Sequence, residues 1–163
     1  MKALAAFLSR KILQPLLQQL RQGASPSKLA WSVSMGTVCG LFPILGTTTL
    51  LSGAAGMVFR LNHVAMQTAN YLAYAPQLAL IPFFIRMGEK IAGAEPMIID
   101  LAVMKDRFSE SPSLFFQDFG MAAWHGILAW LILMPIPAWI FARVLERAFS
   151  RLKGRGQSAS SNP

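Results

Sequence analysis

Charged residues leave long gaps in this chain. Leu29–Phe59, Leu61–Ile85 and Phe119–Ala142 each run without one Asp, Glu, Lys or Arg. A helix that crosses a bilayer needs about 20 predominantly apolar residues. The second and third runs are each long enough for one crossing, whereas the first is too long for one and short for two.

Pro43 and Gly46 bracket Ile44 and Leu45 in the middle of the first run, and Pro-x-x-Gly is a helix-breaking turn signal. The break leaves two arms, Leu29–Phe42 and Thr47–Phe59, each about 20 Å long as a helix. A hydrocarbon core is about 30 Å thick, so the pattern predicts a hairpin, 29–59, that enters the membrane and returns. Ser32, Gly36 and Gly40 recur every fourth residue on the first arm; Thr48, Ser52 and Gly56 do so on the second. Each set forms one narrow stripe of small side chains, which lets helix backbones approach closely in lipid. The stripes are placed almost symmetrically about the turn and are expected to pack the two arms against each other.

The second run is polar for a span. Gln67, Asn70, Tyr74 and Gln77 follow one helical face, interrupted by Pro76 and followed by Pro82. A bent backbone at membrane depth frees amides and carbonyls that need partners from protein, water or ligand. The bend Pro43–Gly46, the hydroxyls Thr47, Thr48 and Thr49, and the face Gln67, Asn70 and Tyr74 are therefore expected to converge on one site. A helix N-terminus opening at Thr47 favours an anionic group there, such as a lipid phosphate. A water-filled structural junction is the competing reading.

The remaining segments frame these runs. Residues 1–24 read as an amphipathic helix on the membrane surface, with Leu13, Leu16, Leu17 and Leu20 on one side. The alternation over 97–108 suits a second surface helix. Pro135 and Pro137 are placed to kink the third run. The Gly/Ser-rich stretch 154–163 reads as a disordered tail.

Composition and charge narrow the class. Only 13% of the 163 residues are charged and 54% are apolar, against about 25% and 45–50% in soluble domains. The net charge of +8 would suit nucleic acid, but its distribution argues against that partner. Lys2, Arg10, Lys11, Arg21 and Lys28 precede the first run with no acid among them. Arg143, Arg147, Arg151, Lys153 and Arg155 follow the last with only Glu146. The acids concentrate in 86–118, where Glu89, Glu95, Asp100, Asp106, Glu110 and Asp118 read as a solvated loop. By the positive-inside rule both termini are cytoplasmic and 86–118 lies outside. Cys39 is alone, so no disulfide forms within the chain. Neither His63 nor His125 belongs to a metal-ligand motif, and no nucleophile elbow, phosphate loop or dinucleotide fingerprint occurs. No catalytic residue, metal ligand or cofactor is assigned.

The hairpin carries a resemblance. Ser25-Pro26-Ser27-Lys28-Leu29-Ala30, the spaced Gly36 and Gly40, then Phe42-Pro43-Ile44-Leu45-Gly46-Thr47-Thr48-Thr49 and Arg60-Leu61-Asn62 resemble the bacterial family called domain of unknown function 2062. Ala75-Pro76 stands where that family tends to show Asn-Pro, and Gly88 matches its glycine after the span. The similarity covers roughly residues 25–150. It implies a small bacterial inner-membrane protein without an established reaction. Relatives joined to glycosyltransferase-like domains point toward envelope or lipid-linked chemistry.

The expectation is an all-α integral membrane protein. Its membrane domain, 25–153, comprises the hairpin 29–59, the span 61–85, the outer polar segment 86–118 and the span 119–142. Its expected role is non-catalytic, binding lipid or a membrane-protein partner, which includes a second copy of itself. A small transporter or lipid flippase is the first alternative. A membrane enzyme acting on a lipid-linked substrate is the second.

Overall fold

The computed structural model describes residues 24–97, 108–109 and 111–160. Among these there are six helices and no strand: α1 Pro26–Gly40, α2 Thr48–Val58, α3 His63–Leu72, α4 Tyr74–Ala92, α5 Pro112–Leu133 and α6 Pro135–Ser160. The expected N-terminal surface helix and most of the 97–108 segment lie outside the described residues. The stretch read as a tail from 154 continues as helix to Ser160. Extending a formed helix adds one hydrogen bond per residue fixed, which offsets the roughly 1 kcal/mol that each glycine costs.

Each long uncharged run is broken, and prolines mark the breaks. The run 61–85 divides at Ala73 into α3 and α4 instead of forming one helix. Pro76 lacks an amide hydrogen, and in one continuous helix its ring would clash with the Leu72 carbonyl four residues back. Restarting the helix at Tyr74 places Pro76 in a first turn, where no intrahelical donor is needed. The run 119–142 divides at Met134, and Pro135 opens α6. No single described helix is long and apolar enough to cross a membrane. One bent pair, Phe116–Leu133 with Pro135–Gly154 meeting at 46°, passes on length and composition.

α1 lies at the centre, and contacts along its length set the register. Asn62 N donates to Ser32 Oγ at 2.8 Å, and Gln77 Nε2 donates to the Phe42 carbonyl at 2.7 Å. α3 and the start of α4 therefore run parallel to α1. On the opposite side Ser34 Oγ donates to the Ala138 carbonyl at 2.6 Å and Trp130 Nε1 to the Val38 carbonyl at 3.1 Å. The α5–α6 leg is thus antiparallel to α1. Leu29, Ala30, Ala65 and Phe149 form the buried cluster at the Lys28 end, with Val33 and Leu145 against it.

This register places the tip of the hairpin within the length of the bundle. Pro43 sits against Gly126, which also faces Ile85. From Ile85, α4 continues to Ala92, about 10 Å farther; α5 begins at Pro112, about 21 Å of helix before Gly126. The long legs overshoot the bend.

The Arg60-Leu61-Asn62 motif has a local explanation. Arg60 takes φ 51°, the left-handed conformation that usually calls for glycine. Its amide donates to the Met57 carbonyl at 3.3 Å, and that of Leu61 to Gly56 at 2.9 Å. This pair of bonds is the Schellman closure of α2. Asn62 then caps α3, its side-chain oxygen accepting from Ala65 N at 3.0 Å. Three residues end one helix and start the next.

Candidate functional site

The small-residue stripes are buried, and their glycines meet α3 and the Ala73 that follows it. A Cβ at Gly36 would collide with the Met66 carbonyl, and one at Gly40 would lie 2.7 Å from Ala73 Cβ and 2.8 Å from the Asn70 carbonyl oxygen. A Cβ at Gly56 would stand 2.8 Å from the His63 ring. Ser32 and Ser52 are fully buried, and Thr48 is buried as well. The reason is topological. The turn at Arg60–Asn62 brings α3 back along both arms, so both stripes have a third helix to meet.

At the bend, side chains replace the helical partners that the broken backbone has lost. Thr47 Oγ1 donates to the Ile44 carbonyl at 2.9 Å, closing the turn where Gly46 takes φ 82°. The Phe42 carbonyl accepts from Gln77, a side chain only 1% exposed. A second chain starts at α2. The Thr49 carbonyl accepts from Gln67 Nε2 at 3.4 Å, and Gln67 Oε1 accepts from Asn70 Nδ2 at 3.4 Å. Asn70 Nδ2 also lies 3.5 Å from Thr49 Oγ1. Thr47, Thr49, Gln67 and Asn70 are therefore brought together with the bend. Tyr74 is 53% exposed and makes no hydrogen bond to them among the described residues.

These chains have a fixed polarity. Each begins at a backbone carbonyl, which can only accept, so the first amide must present its NH2 group. Turning Gln77 around would set its oxygen against the Phe42 oxygen. Turning Gln67 or Asn70 would do the same along the other chain. Each chain consequently ends in an amide oxygen, and among the described residues Gln77 Oε1 and Asn70 Oδ1 are buried without a partner, as is the Ser52 hydroxyl, which can also donate. Asn70 Oδ1 faces α1, where it would lie 3.0 Å from a Cβ at Gly40. Buried acceptors of this kind take a hydrogen-bond donor such as water, a hydroxyl or an ammonium group. They repel the phosphate oxygens of the expected anionic guest.

Two residues outside the expected site emerge from the fold. Gln77 lay on the expected polar face, yet it makes the shortest bond to the bend. Glu89 was placed in the solvated segment, but α4 extends past it and it is 2% exposed. Its carboxylate accepts from Arg86 Nη1 at 3.0 Å and from Met97 N at 2.9 Å. Its backbone carbonyl accepts from Ala94 N at 2.9 Å, with Gly93 left-handed at φ 65°. Glu89 thus ties down the exit of α4. The spacing of Arg86 and Glu89, three residues apart and ahead of a glycine, is the signal in the sequence. Next to it Gly88 lets α4 meet the His125 carbonyl directly.

Among the described residues no three His, Cys, Asp or Glu side chains gather as a metal site would require. The bend is a hydrogen-bonding junction, and its unpartnered buried side-chain atoms among the described residues are two amide oxygens and the Ser52 hydroxyl. A profile for uncharacterized proteins conserved in bacteria, domain of unknown function 2062, matches residues 9–155. The chain belongs to this family. No curated protein and no solved structure matches it. Arg60-Leu61-Asn62 is here the turn between α2 and α3, Pro43–Gly46 is the bend held by Gln77, and Gly88 is the contact with His125.

Proposed function

We propose that this chain is a non-catalytic, multi-pass protein of the bacterial inner membrane that binds lipid or a membrane-protein partner. The observation that carries the reading is an inverted distribution of side-chain size. The buried positions are dominated by small residues, among them Ala30, Ala65, Ala69, Ala122, Ala129, Ala138 and Ala142. The large apolar side chains face outward: Leu50, Met57, Phe83, Trp124, Leu131, Ile132, Ile136 and Trp139 are all exposed. Soluble monomers rarely expose contiguous apolar surface beyond a few hundred Å². Helices packed in lipid use small residues at their contacts and turn large apolar ones to the acyl chains.

The register supports a re-entrant α1–α2 hairpin whose tip stops inside the bilayer, between the α3–α4 and α5–α6 legs. Broken helices are tolerated at such depth when protein covers the freed backbone, and the Gln77 bond supplies that cover. Lys153 Nζ donates to the Ala24 carbonyl at 3.4 Å, so Lys28 and the basic residues that follow Ala142 share one end of the bundle. This supports cytoplasmic termini, with residues 86–118 outside.

The test is extraction and labelling in a bacterial host. Alkaline carbonate should leave the chain in the membrane pellet. In a Cys39→Ser background, Ser109→Cys should react with an impermeant maleimide from outside, and Ser150→Cys only after lysis. Release of the chain by carbonate overturns the membrane reading, and labelling of Ser109→Cys only after lysis overturns the topology.

A further inference from the structure

Resting on the membrane reading above, we infer that one face of α6 is a docking site for an anionic phospholipid. Trp139, Arg143, Arg147 and Arg151 recur every fourth residue, so they form a line along one side of the helix. They border an open groove with Ile140, Val144 and Ser150, and its one acid is Glu146. Arg143 lies over the Trp139 ring at 5.6 Å and pairs with Glu146 at 3.1 Å, which holds the guanidinium in place. Arg147 and Arg151 form no ion pair among the described residues.

Like charges four residues apart repel and destabilise a helix. Arg143 is balanced by Glu146, but Arg147 and Arg151 are such a pair and carry a cost that an anion removes. Residues four apart have Cβ atoms about 5–6 Å from each other, so one phosphate can take hydrogen bonds from both Arg147 and Arg151. Guanidinium groups bind phosphate through paired N–H donors. The charged line begins one residue beyond Ala142, where the uncharged run ends. Trp139 and Ile140, both about half exposed, stand on the apolar side of that boundary. Tryptophan favours the level of the lipid head groups. A guest with a phosphate at Arg147 and Arg151 and an acyl chain along Ile140 and Val144 matches this order. A nucleic acid or a free phosphate matches the arginines alone.

The experiment uses the full chain purified in a neutral detergent and examined by native mass spectrometry with equal amounts of phosphatidylglycerol and phosphatidylcholine. The wild type should retain phosphatidylglycerol preferentially. Each basic residue near an anionic surface contributes about a fivefold factor. Arg147→Gln with Arg151→Gln should therefore lower the phosphatidylglycerol-to-phosphatidylcholine ratio by roughly 30-fold if both contribute fully. Arg147→Lys with Arg151→Lys should keep most of the preference, which shows that the site and not the fold has changed. Equal retention of the two lipids by the wild type, or an unchanged ratio in the Gln variant, overturns the assignment. So does displacement of the lipid by millimolar inorganic phosphate, or tighter binding of a single-stranded oligonucleotide through the same arginines. If carbonate releases the chain from membranes, the membrane reading itself has failed. If the chain stays in the pellet and the ratio does not move, only the α6 site has failed.

Discussion

Substituting glycines one at a time separates backbone contact from mere glycine content. At Gly36 an added Cβ would sit 2.8 Å from the Met66 carbonyl carbon, 2.9 Å from its Cα, and closer still to its oxygen. Carbon atoms pack best at about 3.5–4.0 Å, so α1 and α3 must part by roughly 1 Å for alanine to fit. A gap of that size forfeits up to about half the dispersion energy of the neighbouring contacts. Overpacking of this kind costs about 1–3 kcal/mol, and the better helix propensity of alanine returns about 1 kcal/mol. The obstacle is helical backbone, which cannot rotate aside, so the upper half of the range applies. The net loss should be about 1–2 kcal/mol.

Gly120 is the control, because it is helical and nothing lies within 4 Å of an added Cβ. Alanine there should stabilise by about 1 kcal/mol. The two variants should differ by about 2–3 kcal/mol, or roughly 5–10 °C in melting midpoint for a chain of this size. Gly88→Ala, facing the His125 carbonyl, should behave like Gly36→Ala. Gly56→Ala should fall between, because the His63 ring it meets is an exposed side chain that can turn away. The assay is thermal unfolding of the detergent-purified chain followed by far-ultraviolet circular dichroism. If Gly36→Ala and Gly88→Ala melt with Gly120→Ala, close helix approach does not hold this bundle together.

Three further substitutions test the joints. Gln77→Leu keeps the volume but leaves the Phe42 carbonyl without its donor, which should cost about 1–3 kcal/mol; an unchanged melt would mean that the bend does not need this bond. Arg60→Gly should stabilise by about 1 kcal/mol, because a left-handed backbone strains a residue with a Cβ; destabilisation would show that the Arg60 side chain has a partner of its own. Glu89→Ala should speed hydrogen exchange at Met97 while leaving the α1–α3 core amides protected, and loss of protection throughout would make Glu89 a global rather than a local tie.

Much of the architecture is written in the order of residue types. Pro43 and Gly46 mark the bend, the charge-free runs mark the helical legs, and the every-fourth-residue stripes mark close packing. The partner of those stripes was not legible. Small residues announce that a helix will approach, but which helix arrives depends on the chain direction after Arg60. That direction is set by a left-handed arginine, a conformation arginine seldom adopts. The division of 61–85 was half legible. Pro76 marks a break, but its ring and missing amide act on the carbonyl four residues back, so the break fell upstream at Ala73. Glu89 escaped notice because its acidic neighbours dominate the local composition, and burial of one carboxylate depends on where α4 ends.

The chemistry of the bend illustrates a more general limit. Gln67, Asn70 and Gln77 could be named as polar residues near a broken helix, yet an amide is a donor at one end and an acceptor at the other. Which end faces the gap is decided by the first atom in each chain of bonds. Here those atoms are the carbonyls of Thr49, in the first turn of α2, and of Phe42, at the bend. Carbonyls draw the NH2 groups inward and leave oxygens as the free ends. The chemical preference of such a junction follows from the atom at which each chain of bonds starts. That reasoning separates a phosphate, which requires donors, from the amide oxygens left free near the bend, and it is the ground for seeking the phosphate at the guanidinium groups along α6.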